Sequence, residues 1–385
     1  MQSRQGTTSS ASERIVITGF GLLTPIGQSF WHSVLSLRAK RSCYQEHETV
    51  LVADSPYGAV LRGATVSRVA NRLVPRHLSG AHRAAALLAL PAAECLSGFP
   101  PQLSQRLTWE IVSRHAEAEG IWHDLLAEKL PEASLSPDSF CQPRAMRSEF
   151  FARIARAAEA LLANRTDFVV VACVDSLCDS SQLAELLSAG LLKDAANPYG
   201  IMAGEAAGAV LLERESAARR RGAPIMARIA AWGQASEPHP WPTGSPSTAQ
   251  GLTEAFHRAF AHLGDGGASV GQVITDENGE RPRALEWALT AGRIFPNPGK
   301  ERILRHPAVM AGDAGGALGA VLLADALGQL AWRRPPLGRI ALAVSDDQGD
   351  RRVLCLEAGE RHARRSQFAA LRKQFGWEKK PTEET

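Results

Sequence analysis

The sequence predicts a layered α/β protein built of two related halves, and three observations carry that prediction. The runs 168–174 (FVVVACV) and 209–212 (AVLL) are continuously apolar, short and bounded by turn residues, as in strands covered on both faces. Strand-like and helix-like segments alternate twice along the chain, with a boundary near residues 221–224. At 385 residues the chain suits one large compact unit or two fused half-domains with a sizeable core.

The elements follow in order. A polar leader, 1–12, is expected to be disordered, and RIVIT at 14–18 is a strand turned by Gly19-Phe20-Gly21. A helix at 29–37 and a strand pair over 50–62, around Ser55-Pro56-Tyr57-Gly58, come next. The Ala/Leu-rich stretch from Ala81 reads as a helix kinked or restarted at Pro91. A strand at 107–112 and a helix at 117–130 precede a further helix that Pro143 could open. In that helix Phe150, Phe151, Ile154, Ala158, Leu161 and Leu162 recur at helical spacing. After the strand 168–174, Asp175-Ser176 make a polar crossover, and a helix spans 181–189. A glycine-punctuated turn at 202–208 leads into the strand 209–212. The second half begins at 224–232 and continues with a proline-rich loop, 233–246. Helices at 253–263, 282–294 and 315–330 alternate with strands at 270–275 and 308–310, and 339–345 with 352–356 form a closing hairpin. The tail, 358–385, carries a basic stretch with Phe368, Leu371 and Phe375 at helical spacing, the pattern of a surface-docked helix.

Composition narrows the functional classes. A formal charge of +3 gives no electrostatic case for nucleic acid or an anionic membrane. No apolar run approaches the roughly 20 residues of a membrane span. The N-terminus has no apolar signal-like segment. Cys43, Cys95, Cys141, Cys173, Cys178 and Cys355 are scattered without a CxxC pair, so reduced thiols of a cytoplasmic protein are expected. No Cys/His spacing supports a metal, and no motif points to a cofactor.

The opening RIVITGFGLLTPIGQSFWHSVLSLRAKRS (14–42), together with Val174-Asp175-Ser176 and Gly204-Glu205-Ala206-Ala207-Gly208, resembles the β-ketoacyl synthases of the thiolase superfamily. That resemblance implies a five-layered αβαβα fold of two pseudo-repeated halves, 13–222 and 223–357. It also implies a homodimer paired through the strand 168–174. A synthase of this kind uses a cysteine at a helix N-terminus, two histidines, a supporting lysine and a glycine-phenylalanine loop. Counting back from Ala172, the nucleophile slot falls at about Arg147, and the nearest thiol is Cys141. The first histidine slot falls at Thr275 or Asp276. Asp313 stands in the second histidine position, with Ala308 about where the lysine would be. The last loop, 345–352, keeps one glycine and lacks the phenylalanine.

Cys141, Asp276 and Asp313 are therefore the candidate catalytic positions. An aspartate is ordinarily an acceptor-only anion that repels a forming enolate, so decarboxylative condensation is expected to be lost. Asp276, Glu277, Glu280, Asp313, Asp346, Asp347 and Asp350, with Arg281, Arg283, Arg351 and Arg352, lie on loops that the resemblance brings together. An ion-pair network filling a vestigial pocket is expected of them, the alternatives being a carboxylate-rich metal or cationic-ligand site or ordinary solvated loops, and Arg144 and Arg147 place positive charge near the mouth. DENGERPRALEW (276–287), GDAGGALGA (312–320) and SDDQGDR (345–351) also resemble ketosynthase-like proteins found beside type VI secretion effector genes. The expected function is an inactive accessory, adaptor or dimer partner. Its expected partners are itself, a ketosynthase-like protein, an acyl carrier protein or a secretion effector. The alternatives are an active 3-oxoacyl-[acyl-carrier-protein] synthase or acyltransferase using Cys141, a chain-length-factor-like partner of a synthase, or an acyl-chain binder without turnover.

Overall fold

In the computed structural model, residues 13–55, 58–115, 139–141, 146–193, 197–241, 247–295, 302–332 and 338–359 are described. The first half runs β1 (Ile15–Leu23), α1 (Phe30–Arg38), β2 (Gln45–Ser55), β3 (Gly58–Ser67), α2 (Gly80–Cys95), β4 (Leu107–Ser113), β5 (Phe140–Cys141), α3 (Met146–Leu162), β6 (Phe168–Ser176), α4 (Ser180–Ser188) and β7 (Ala203–Arg214). After α5 (Glu215–Arg220), the second half runs β8 (Ala227–Ser236), α6 (Gln250–Leu263), β9 (Val270–Thr275), α7 (Arg281–Ile294), β10 (Ile303–Arg305), α8 (Ala308–Ala311), α9 (Leu318–Trp332), β11 (Arg339–Ser345) and β12 (Asp350–Ala358).

The two halves repeat one topology. The first orders its strands β5-β4-β6-β7-β1 and the second β10-β9-β11-β12-β8. In each half the first three strands of that order are parallel and the last two run antiparallel to their neighbours. The halves join where Val16 and Ile17 of β1 meet Arg228 and Ala227 of β8.

Apolar faces set the layers. Leu87, Leu88 and Ala92 of α2 pack on Trp109, Val170 and Leu211, covering the outer face of the first half. Phe256 and Phe260 of α6 do the same for the second half, against Val273, Ala341 and Val353. Between the halves lie α3 and α9. Phe150, Ile154, Val321 and Leu322 meet Val169, Val171 and Val210 on one side and Ile274, Leu342 and Leu354 on the other. Five layers result, helix-sheet-helix-sheet-helix, and each large apolar side chain buried there contributes about 1.5–3 kcal/mol. The segment Gly315–Trp332 is long and apolar enough to cross a membrane by composition alone, yet 89 % of it is buried between the sheets.

Several expectations need correction. Gly19 and Gly21 do not turn the chain, because β1 continues to Leu23. They let α2 cross the strand closely: a Cβ at Gly21 would sit 2.0 Å from the Pro91 carbonyl oxygen. The turn expected at 202–208 is likewise strand, since β7 is unbroken from Ala203. The start of the expected loop at 233–246 belongs to β8, which continues to Ser236. The segment expected as a strand at 308–310 is the helical turn α8, opened by Pro307 with helical dihedrals, and the strand lies earlier, at Ile303–Arg305. The strand 168–174 cannot offer a pairing edge. Within β6 it is bonded on one side to β4 and on the other to β7, so both rows of backbone groups are already used. The outermost strand of that half is β5. The helix expected at 117–130, Pro143, Arg144, the leader 1–12 and the tail beyond Gly359 lie outside the described residues.

Candidate functional site

Parallel strands end together, so their following loops converge. Asp276 leaves β9 with its N–H on the Ala343 carbonyl (3.2 Å), which fixes it beside the end of β11. Asp313 lies between α8 and the 3-10 turn Gly315–Ala317. Its N–H donates to the Met202 carbonyl and its own carbonyl accepts from the Gly204 N–H, both at 2.8 Å. The same loop cluster receives the N-terminus of α3. There the Arg147 N–H donates to Asp346 Oδ2 (2.9 Å) and Ser148 Oγ bonds Asp350 Oδ2 (2.7 Å). Two carboxylates of the β11–β12 turn thus meet the positive end of the helix dipole.

Side chains complete the site. Arg147 grips Asp313 through both terminal nitrogens, at 2.8 and 2.7 Å. Asp313 also accepts from Gly315 N–H (2.9 Å) and from Asn278 Nδ2 (2.6 Å). Asn278 donates in turn to Glu280 Oε2 (2.9 Å). Arg283 then gathers the other carboxylates: Glu280 (2.8 Å), Asp276 Oδ2 (3.1 Å) and Asp347 (2.6 Å), along with the Ser345 carbonyl (2.6 Å). Ser345 links to a second pair, donating its hydroxyl to Glu286 Oε2 (2.7 Å) while Arg351 Nε donates to Glu286 Oε1 (2.8 Å). Asp276, Asp313, Arg283, Glu286 and Arg351 are all buried. Beside Arg283 and Glu286 remains a cavity of about 10 Å³, room for one water at most.

Two aspartates in one site titrate in opposite directions. Burial alone would raise Asp313, but Arg147 outweighs it, helped by Arg283 and the Asn278 amide, and holds the carboxyl below its usual range. Burial dominates at Asp276 and raises it, against Arg283, the Ser345 N–H and Arg147. The geometry explains the difference, since both oxygens of Asp313 hold donors, whereas the Arg283 and Ser345 N–H bonds of Asp276 fall on Oδ2 alone. Arg147 and Arg283 are pushed further up, because their carboxylate neighbours outweigh burial. Among the described residues no three His, Cys, Asp or Glu side chains group to hold a metal ion.

A second buried polar cluster surrounds the family-like motifs. Asp175 takes Arg114 on both oxygens at 3.0 Å and accepts the Gly316 N–H at 2.9 Å, at the start of the turn into α9. Glu205 takes Arg83 at 2.8 and 2.6 Å, the Val69 N–H at 2.7 Å and Ser176 Oγ at 2.9 Å.

The structure brings Asp276, Glu280, Asp313, Asp346, Asp347, Arg147, Arg283 and Arg351 together. Glu277 and Arg281 turn elsewhere: Glu277 meets His306 (3.2 Å), and Arg281 stacks on Tyr199 (3.8 Å). Arg352 pairs with Asp350 (2.6 Å) at the edge. Cys141 lies in β5, paired with Val112, and its side chain is outside the described residues. Sequence reasoning missed Asn278, Ser148 and His306. His306 Nδ1 lies 2.9 Å from Thr275 Oγ1, across 31 residues of chain that local pattern does not bridge.

Comparison with solved structures settles the architecture. A chain of a type II polyketide acyl-carrier-protein–ketosynthase complex aligns with TM-score 0.71 over 91% of this chain and 100% of its own, at 14% identity. The fold is that of the ketosynthases. The ishigamide ketosynthase/chain length factor aligns at TM-score 0.68 and 17% identity over 91% of this chain and 100% of that one. The oxazolomycin ketosynthase domain of Streptomyces albus aligns at TM-score 0.72 and 15% identity over 90% and 74%. No protein-family model and no curated protein matches the sequence. At these identities the likeness is one of ketosynthase fold, and activity has to be argued from the site.

Proposed function

We propose that this ketosynthase-fold chain does not catalyse decarboxylative condensation and serves as the non-catalytic partner of a ketosynthase-like protein. The observation that carries the reading is the double-pronged Arg147–Asp313 pair, at 2.8 and 2.7 Å. By the family resemblance, Arg147 stands near the nucleophile slot and Asp313 in a histidine slot, so two positions that would act on an acyl thioester are tied to each other. A guanidinium offers no nucleophile. The Asp313 anion can only accept hydrogen bonds and opposes enolate charge. The α3 N-terminal N–H that would favour a thiolate already donates to Asp346.

The neighbours' own descriptions support this kind of partner: one is a ketosynthase/chain length factor and another a ketosynthase complexed with its acyl-carrier protein. A chain-length-factor-like role in a heterodimer, or a homodimer with an adaptor role, uses the same scaffold. The resemblance of 276–287, 312–320 and 345–351 to proteins beside type VI effector genes favours a secretion effector as client.

Incubation with acyl-CoA and acyl-carrier-protein thioesters followed by intact mass spectrometry tests the catalytic half of the reading. No mass increase is expected, and an acyl adduct on Cys141 would overturn it in favour of an active synthase or acyltransferase. Co-expression with a ketosynthase-like protein from the same genome should give a one-to-one complex by light scattering. Recovery of each protein alone would overturn the partner assignment.

A further inference from the structure

At the end of β6 away from Asp175, Phe168 and Leu103 floor a cavity of about 210 Å³ walled by Arg106, Arg214, Arg220 and Arg221, with Asp167 beside them. Asp175 reaches the Gly316 turn next to Asp313, so the cavity opens at the opposite end of the strand from the ion-pair network. Three of its arginines are held in place. Arg214 donates to the Leu161 and Thr166 carbonyls (3.0 and 2.9 Å) and to Asp167 Oδ1 (2.7 Å). Arg106 donates to Asp167 Oδ2 (3.0 and 2.5 Å) and lies over the Phe168 ring at 5.9 Å. Arg221 pairs with the buried Glu213 and lies over Phe99 at 5.3 Å. Arg220 closes α5, is exposed, and forms no ion pair with a described residue. Even with Glu213 counted against Arg221, positive charge is in excess.

We propose that this cavity docks an acidic segment of a partner protein, one in which a carboxylate side chain stands beside an apolar one. The carboxylate meets Arg220 and Arg106, whose planar guanidinium groups match it, and the apolar side chain lies against Leu103 and Ala217. The apolar Leu103 and Ala217 beside the arginines call for an apolar group next to the anion, as an acidic peptide with an apolar neighbour supplies. The surface lies apart from the ion-pair network, so it stands whether or not that site is catalytic.

A fluorescein-labelled pool of hexapeptides alternating Asp or Glu with Leu or Phe, titrated with the full chain at low salt, reads the proposal by anisotropy. Saturable binding is expected, weakened at least tenfold by Arg220→Glu or Arg106→Glu. Arg258→Glu makes the same charge change at an exposed arginine on α6 and should shift binding less than twofold. Absence of binding, or equal loss with Arg258→Glu, overturns a built site. Stronger competition by phenyl phosphate than by 3-phenylpropionate overturns the carboxylate class. Self-association of the chain that Arg220→Glu abolishes makes a second copy the occupant and overturns a foreign partner.

Discussion

The two buried ion-pair clusters sit close together, and both bond backbone N–H groups, but they have different relations to the sequence. The cluster of Arg83, Glu205, Ser176, Asp175 and Arg114 is built on the motifs that resemble ketosynthases, and it fastens α2, β6, β7 and the turn into α9. The cluster of Arg147, Asp313, Asn278, Glu280, Arg283 and Asp276 is built on positions where those motifs are broken. The first ties α2, β6, β7 and the turn into α9 together, and the second ties the loops after β9, α8 and β11 to the N-terminus of α3. On the function proposed above, the boundary between scaffold and altered site runs between Asp175 and Asp313. That line is short, because the Asp175 carboxylate bonds Gly316 while the Asp313 carboxylate bonds Gly315.

The largest expected effect lies in the scaffold cluster. Glu205→Gln leaves the Arg83 guanidinium, fully buried, without its anion. A loss of about 3–5 kcal/mol is expected from breaking one side of such a pair. Urea denaturation checks it, and a loss below about 1 kcal/mol would remove the distinction between the clusters.

A half-buried carboxylate outside both clusters sharpens the comparison, because its described hydrogen bonds come from backbone alone. Glu94 on α2 accepts the Phe30 N–H on both oxygens (3.0 and 2.9 Å) and the Leu22 N–H (3.1 Å). Burial, only partly opposed by these bonds, pushes its pKa up to about 7 from 4.5. The folded state therefore holds this proton more tightly than the unfolded chain. Stability from this group is full below about pH 4.5, declines as pH rises, and is lost above about pH 7, a swing of roughly 3 kcal/mol. Glu94→Gln should flatten that decline, measured as the difference between the two proteins' denaturation midpoints from pH 4.5 to 8. Parallel curves would show that backbone donors alone hold the carboxylate ionised.

How much was legible follows from the same contrast. The strands and central helices were readable because period and apolar runs are local, as in 168–174 or Phe150 and Ile154. Asp276 and Asp313 could be assigned to one site because the family resemblance supplies the convergence of their loops. The glycines were misread, since whether Gly21 turns a chain or admits a helix depends on Pro91, far away in sequence. The caps on α3 were invisible for the same reason: Asp346 and Asp350 meet Arg147 and Ser148 across about two hundred residues. Glu277 and Arg281 look like Asp276 and Arg283 in composition, and only the path of the chain after β9 separates them.

The smallest effect belongs to the pocket cluster. Asp313→Asn removes the charge facing Arg147 but keeps an amide that can accept one guanidinium bond. Arg147 retains Asp347 at 4.0 Å and some access to solvent, with 11% of its side chain exposed. The expected loss is therefore about 2 kcal/mol, the range for a weakened charged hydrogen bond, and less than for Glu205→Gln. The double variant Arg147→Met/Asp313→Asn should recover most of it, since it removes the guanidinium left without its anion while the Asn oxygen can still accept from the Gly315 N–H. Recovery in that double-mutant cycle, with the partner complex intact, would mark the pair as a filling of the pocket. Loss of the complex while stability recovers would mean that Arg147 and Asp313 shape the binding surface and would join the two clusters into one functional unit.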